Sequence, residues 1–331
     1  MKQTLRCLLV VVLVLVLLVG LDYGGIVDVP GIDPTELGLS SRTTTVEQPA
    51  PKEDGPSASV PDTPTADPDA PRIRLVTWNL YNFGRTKDDQ EISVAAQTLR
   101  DADLVAAQEI VTSPPGAQAI GKLDRELDRT GAAWDYRISP PTTGPGTEKY
   151  AFLWKPSRLR LMGRAWLEAS LADSLDREPY LARFEHRESG HTLLVASLHA
   201  VPTSKNPERE IALLDRLHWQ YETDHVVLVG DFNLDEDDAA FNELRGLGYA
   251  SVLDDQPTSL RRKRREGPNG HLANEYDNIF YETVPFRPMR GGVLDFTPRF
   301  SSLKEARSLS DHLPVYADVR WTAPLPLHPS P

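Results

Sequence analysis

Nine polar side chains in this sequence stand where apolar stretches stop. Asn79 closes RIRLVTWN, Glu109 closes DLVAAQE, Glu148 precedes KYAFLW, His199 ends TLLVASLH, and Asp231 and Asn233 end VVLVGDFN. Asp277 opens DNIFYE, and Asp311 and His312 precede LPVYADV. Strand side chains alternate, so Asp231 and Asn233 share one side while Phe232 takes the other. A carboxylate and a carboxamide converging in this way suit a metal-bound phosphate. The same Asp-x-Asn spacing also builds an Asx turn that merely ends a strand. Each of the nine, alone, reads as a cap or turn former, and a single His reads as a hydrogen-bonded core residue. Nine at one kind of position describe a site. Two imidazoles, several carboxylates, two carboxamides and no thiol make an oxygen-rich donor set. Hard oxygen donors select Mg²⁺ or Mn²⁺, with Ca²⁺ a further candidate, over zinc.

The elements that must position these groups are short and alternate in texture from Arg72 onward. Nine segments have the apolar content or two-residue alternation of strands: RIRLVTWN, DLVAAQE, KYAFLWKP, RLRLMGRAWLEAS, YLARFEHRE, TLLVASLHA, HVVLVGDFN, YDNIFYE and LPVYADVRW. EISVAAQTLRDA has helical spacing, and PEREIALLDRLHWQYE reads as one amphipathic helix with Pro207 in its first turn. Many strands with few helices predict an α/β (α+β) domain. Two packed sheets with helices outside fit that count better than a doubly wound parallel sheet.

Composition bounds the rest. The chain has 331 residues, 40% of them hydrophobic, enough for one large core. Its formal charge is -12, yet residues 1–70 hold 4 Lys/Arg against 10 Asp/Glu, which leaves 32 against 38 beyond them. The globular part is thus only mildly acidic, which argues against wholesale coating of a polyanion but not against a local basic cleft. Cys7 is the sole cysteine, so an intramolecular disulfide and a cysteine-based zinc site are both excluded. Lys2 and Arg6 precede an uncharged apolar run from Cys7 to Leu21. Residues 1–21 therefore read as an export signal or an uncleaved N-terminal anchor, and the domain is expected to work outside the cytoplasm, secreted, periplasmic or tethered to the membrane. Residues 22–71 carry nine prolines with many Thr, Ser, Ala and Asp, the composition of a disordered linker. A globular domain over 72–322 and a loose tail over 323–331 complete the expected organisation.

TWN (77–79), QE (108–109), LHA (198–200), GDFN (230–233), YDNI (276–279) and SDH (310–312) occur in an order that resembles the endonuclease/exonuclease/phosphatase superfamily. Within it the chain is most similar to the deoxyribonuclease I group, through EKYAFLWKP (148–156) and DREPYLARF (176–184). The resemblance covers about residues 72–320 and implies a four-layer sandwich of two mixed or antiparallel sheets flanked by helices, with the site at one end of the sheets. It also implies roles. Glu109 would be the principal metal ligand with Asn79 nearby and Asp311 supporting the metal side, and Asp231 and Asn233 would orient water, phosphate or a second ion. His312 oriented by Asp277, and His199 oriented by Glu148, would serve as base and acid, and Arg177 would clamp the phosphate. Two departures stand out: Gly146 occupies a position where the group often has an aromatic residue, and the group's disulfides are absent.

The run Arg261, Arg262, Lys263, Arg264, Arg265 lies in a Gly/Pro-containing loop shortly before Asp277. Five consecutive cations commonly form a solvated loop, but near a phosphate site they suit docking of a polyanion. Three functions follow. The first is a secreted or anchored, divalent-metal-dependent phosphodiesterase that cuts nucleic acid, DNA above all, as a monomer that meets the membrane only through its N-terminus. The second is an enzyme of the same fold acting on inositol phosphates or phospholipid head groups. The third is a catalytically silent binding domain.

Overall fold

The computed structural model describes residues 72–287 and 289–322. The expected leader or anchor (1–21), linker (22–71) and tail (323–331) lie outside the described residues. Twelve strands are present among the described residues: β1 (Arg72–Phe83), β2 (Leu104–Ile110), β3 (Asp135–Ile138), β4 (Lys149–Trp154), β5 (Leu159–Leu167), β6 (Tyr180–His186), β7 (Thr192–His199), β8 (Val226–Asp231), β9 (Tyr249–Ser251), β10 (Asp277–Glu282), β11 (Arg290–Val293) and β12 (Val315–Arg320). They form two six-stranded sheets, ordered β11-β12-β1-β2-β4-β3 and β5-β6-β7-β8-β10-β9. Each sheet contains one parallel pair at its middle, β1 with β2 and β7 with β8, and its other pairs are antiparallel. The sheets are therefore mixed, as expected, and helices cover their outer faces.

Alternation explains how three apolar layers arise from two sheets. In β1, Ile73 and Leu75 enter the core between the sheets, while Val76, Trp78 and Leu80 face outward under the helices Asp89–Leu99 and Pro114–Asp128. In β8, Val227 and Val229 point inward, and Val226 and Leu228 pack outward with Phe232, Phe241 and Phe280. The inward rows of β1, β2, β4, β7, β8 and β10 end at Asn79, Gln108, Glu148, His199, Asp231 and Asp277; the neighbour two residues away on the same row is apolar in β2, β4, β8 and β10 and is Thr77 in β1 and Ser197 in β7. The inter-sheet core thus turns polar at one end of the sandwich.

All nine segments read as strands are strands. The three that the sequence did not reveal, β3, β9 and β11, are edge strands of three or four residues. The helix begun by Asp88 is fixed by a capping box, with the Asp88 side chain accepting from the Glu91 amide and the Glu91 carboxylate accepting from the Asp88 amide. The expected single helix from Pro207 is instead Glu208–Ile211 followed by Asp215–Gln220. Between them the Leu213 and Leu214 amides bond three residues back, to Glu210 and Ile211, which tightens the turn and interrupts the α-helical ladder. The helix Pro114–Asp128 was hidden in the sequence by Pro114, Pro115 and Gly116 at its start.

Candidate active site

Asp231 is the centre of the polar end. It is 1% exposed, and its Oδ2 lies 3.6 Å from His199 Nε2 and 3.7 Å from His312 Nε2. Each imidazole is anchored from behind: His199 Nδ1 is 2.9 Å from Glu148 Oε2, and His312 Nδ1 is 2.7 Å from Asp277 Oδ2. A carboxylate only accepts, so each Nδ1 carries the proton and each Nε2 is turned toward Asp231. Two imidazole–carboxylate pairs therefore meet head to head across one buried carboxylate. Burial alone would lower both imidazoles. For His312 the Asp277 and Asp231 carboxylates and the Asp277 hydrogen bond outweigh it and raise the group to about 10. For His199 the Glu148 carboxylate and hydrogen bond, with Asp231, likewise outweigh burial and push it up. Burial also raises Asp231 itself, against the pull of His312.

Asn79 ties this centre to Glu109. Its Nδ2 donates to Glu109 Oε1 (3.1 Å) and to Asp231 Oδ2 (3.0 Å), and its Oδ1 accepts from the Tyr81 amide. Glu109 Oε2 accepts from the Asn82 amide at 2.8 Å, and the Glu109 amide donates to Glu148 Oε1. These contacts require unusual backbone: Tyr81, Asn82, Glu109 and Asn233 all have positive φ, between 48° and 59°. Non-glycine residues rarely sit there, and such strain persists only where surrounding contacts impose it. Gly230 has a specific reason to be glycine, since a Cβ there would lie 1.9 Å from the Leu198 carbonyl oxygen of the neighbouring strand. That close approach brings Asp231 level with His199, its register partner in the parallel pair.

At GDFN the structure shows the turn. The Asn233 amide bonds Asp231 Oδ1 at 3.0 Å, an Asx-type turn, while Asp231 Oδ2 remains turned to the imidazoles. Asn233 Nδ2 donates to the Ala200 carbonyl, which joins the ends of β7 and β8. Phe232 packs outward against Phe241 and Phe280, as strand alternation predicts.

The remaining candidates stand further from the centre. Asp311 Oδ2 takes a 2.9 Å ion pair from Arg307 and so is partly neutralised. Arg177, 7% exposed, commits Nε to the His199 carbonyl and Nη2 to the Ala200 carbonyl, and lies 3.8 Å from Glu148. It braces the His199 end of the site and lines the adjoining cleft. The basic loop is rooted beside the centre, because the Leu260 amide bonds the Asp311 carbonyl and Ser259 bridges to His312. Arg262, Lys263, Arg264 and Arg265 are exposed and Arg261 is half-buried.

Several residues complete the site without having been singled out from the sequence. Thr258 Oγ1 donates to Asp277 Oδ2, Ser310 Oγ donates to the Asn79 carbonyl and accepts from the His312 amide, and Gln108 Nε2 donates to Thr77 in its own sheet and to Ser197 in the other. Gln108 and Ser310 lay inside the QE and SDH segments, whereas Thr258 carried no local signal.

A model of the endonuclease/exonuclease/phosphatase family matches residues 76–312, and the chain belongs to that family. It is 29% identical over 265 residues to a deoxyribonuclease of Thioalkalivibrio sp. (strain K90mix), covering 74% of this chain and 70% of the relative. Similarity to deoxyribonuclease-1-like 1 of Sus scrofa is 27% over 269 residues, covering 76% of this chain and 82% of that protein. Among solved structures, an endonuclease/exonuclease/phosphatase family protein from Bacteroides thetaiotaomicron has the same fold at a TM-score of 0.58 and 16% identity, over 76% of this chain and 98% of that one.

Proposed function

We propose that this domain is a divalent-metal-dependent endonuclease that hydrolyses phosphodiester bonds of DNA. The observation that carries the reading is the convergence of two carboxylate-anchored imidazoles on Asp231, with Glu109 held beside it through Asn79. The names of the deoxyribonuclease relatives support a nucleic-acid substrate.

The donors fit a hard divalent cation such as Mg²⁺ or Mn²⁺. Both hydrogen bonds to the Glu109 carboxylate come from uncharged amides, which orient it without neutralising its charge. Asp277 Oδ1 is a further buried oxygen with no hydrogen-bond partner among the described residues. Glu109, with Asn79 beside it, would hold the ion. When bound, the ion supplies positive charge against the phosphoryl oxygens.

The chain's own groups supply the proton chemistry. Asp231 is the acceptor that orients the attacking water, because its Oδ2 is the one carboxylate oxygen facing both Nε2 atoms. His312, held cationic across the neutral range by Asp277 and Asp231, donates from Nε2 to the leaving oxygen. His199 donates to a phosphoryl oxygen, with Glu148 fixing its ring. Phosphates flanking the cut on the His312 side meet the basic loop, whose exposed cations begin two residues after Leu260.

Incubating the full chain with plasmid DNA, RNA, inositol phosphates and sphingomyelin tests this. Plasmid should be nicked with Mg²⁺ or Mn²⁺ and left intact in EDTA, and Glu109→Gln should remove most of the metal-dependent rate without lowering the melting temperature appreciably. Undiminished nicking in EDTA would sink the metal mechanism. Turnover of a head-group substrate in preference to DNA would move the substrate assignment.

A further inference from the structure

An open cleft of about 600 Å³ adjoins the centre on its His199 side. Glu109, Glu148 and His199 line it, whereas Asp277 and His312 do not. Its other wall carries Arg85, which is exposed and whose guanidinium has no partner among the described residues. An exposed arginine is ordinarily a solvated surface group. Here three observations set it apart.

The first is that its loop is fixed. The Arg85 amide bonds the Asn82 carbonyl, and the Asn82 amide bonds Glu109 Oε2, so Arg85 sits one turn from the carboxylate assigned to the metal. Gly84, at φ 99°, lies so close to the helix Pro114–Asp128 that a Cβ would come within 2.5 Å of Gly116 Cα. The Val111 amide closes the same region onto the Phe83 carbonyl. The second observation is that the cleft's other guanidinium is committed, since Arg177 donates to the carbonyls of His199 and Ala200. Arg85 is therefore the cation available to an incoming anion. The third is that Thr112 and Ser113, whose hydroxyls are neutral donors of the kind that contact phosphate, line the same cleft.

We infer that this cleft is a subsite for the nucleotide adjoining the scissile phosphate, with Arg85 holding that nucleotide's own phosphate. The inference rests on the DNA-endonuclease reading and deepens it: the enzyme engages two successive phosphates of one strand, one at Asp231 and one at Arg85. A substrate with a single phosphate fills only the first.

The test uses the full chain and a labelled duplex. Binding is measured in EDTA across a salt series from about 50 to 200 mM, where phosphate contacts dominate affinity. Arg85→Ala should weaken binding about tenfold at the lowest salt and reduce the slope of log K against log salt by about one, and Arg85→Lys should retain the slope. In turnover with Mn²⁺, the Arg85→Ala loss in kcat/KM should be at least about fivefold greater on DNA than on bis(4-nitrophenyl) phosphate, and should fall mainly on KM. An unchanged slope would make Arg85 a solvated surface cation. Equal losses on both substrates would make it a support for Glu109 and overturn the subsite. Should the wild type hydrolyse the small diester yet neither bind nor cut DNA, the endonuclease reading fails and the subsite with it; normal DNA cleavage with an indifferent Arg85 overturns the subsite alone.

Discussion

Asp231 and the loop Arg261–Arg265, which is rooted through Ser259 at His312 and through Leu260 at Asp311, handle charge in opposite ways. Around Asp231, buried carboxylates and imidazoles are each held by a named partner: Glu148 by His199, Asp277 by His312 and Thr258, Asp231 by Asn79 and the Asn233 amide. Charges removed from water must be matched in this way, or they neutralise. Along Arg262–Arg265 the side chains stand in solvent. Water already stabilises those charges, so their orientation is left open and their pull on a ligand is screened by salt. The difference separates chemistry from docking: the buried centre fixes geometry, and the loop supplies a field.

Three experiments bear on that separation, beginning with the largest expected effect. Asp231→Asn keeps the size of the side chain and removes the charge between the two Nε2 atoms. Its single-turnover rate on a duplex should fall by roughly 10²- to 10³-fold, while the dissociation constant changes by less than about threefold. A rate left intact would reduce Asp231 to the acceptor of an Asx turn. Replacing all five cations of Arg261–Arg265 with Ser should do the converse, weakening binding at low salt by about 10- to 100-fold and flattening its salt dependence, with kcat within about twofold of wild type. An unchanged salt slope would make the run a solvated loop, and a collapse of kcat would mean that the loop shapes the site through Leu260.

The smallest effect concerns stability. His312 titrates at about 10 in the folded protein against an ordinary 6.5. The folded state thus holds this proton more tightly than the unfolded chain does. Its stabilisation is fully present below about pH 6.5 and is lost as the pH climbs toward 10. The melting-temperature gap between wild type and His312→Asn should accordingly narrow from pH 7 to pH 10, by on the order of a few degrees. A gap independent of pH would show that Asp277 and Asp231 do not hold the imidazolium.

Much of the frame was legible because burial imprints itself on sequence. Nine strands carry enough apolar or alternating residues to be read directly, and each central strand announces where its inward row turns polar. The strands that escaped, β3, β9 and β11, lie at sheet edges, pair on one side only and are too short to show a period. The single amphipathic helix expected from Pro207 is helical but broken in two, since bonds to the third residue back leave no mark on hydrophobic spacing.

For the site, the sequence by itself determined which residue types stand at strand ends, and hence an oxygen-rich, hard-cation chemistry with two imidazoles. Which group faces which was decided only by the tertiary structure. Asn79 bonds Glu109 and also Asp231, 152 residues away, and His312, in the segment leading into β12 of one sheet, finds Asp277 at the start of β10 in the other. The left-handed backbone at Glu109, the commitment of Arg177 to main-chain carbonyls and the open guanidinium of Arg85 likewise depend on chain segments that meet only when the sheets pack. Side-chain type is a local property carried by each residue, whereas distance, burial and the pairing of charges arise between residues remote in sequence, and folding alone sets them.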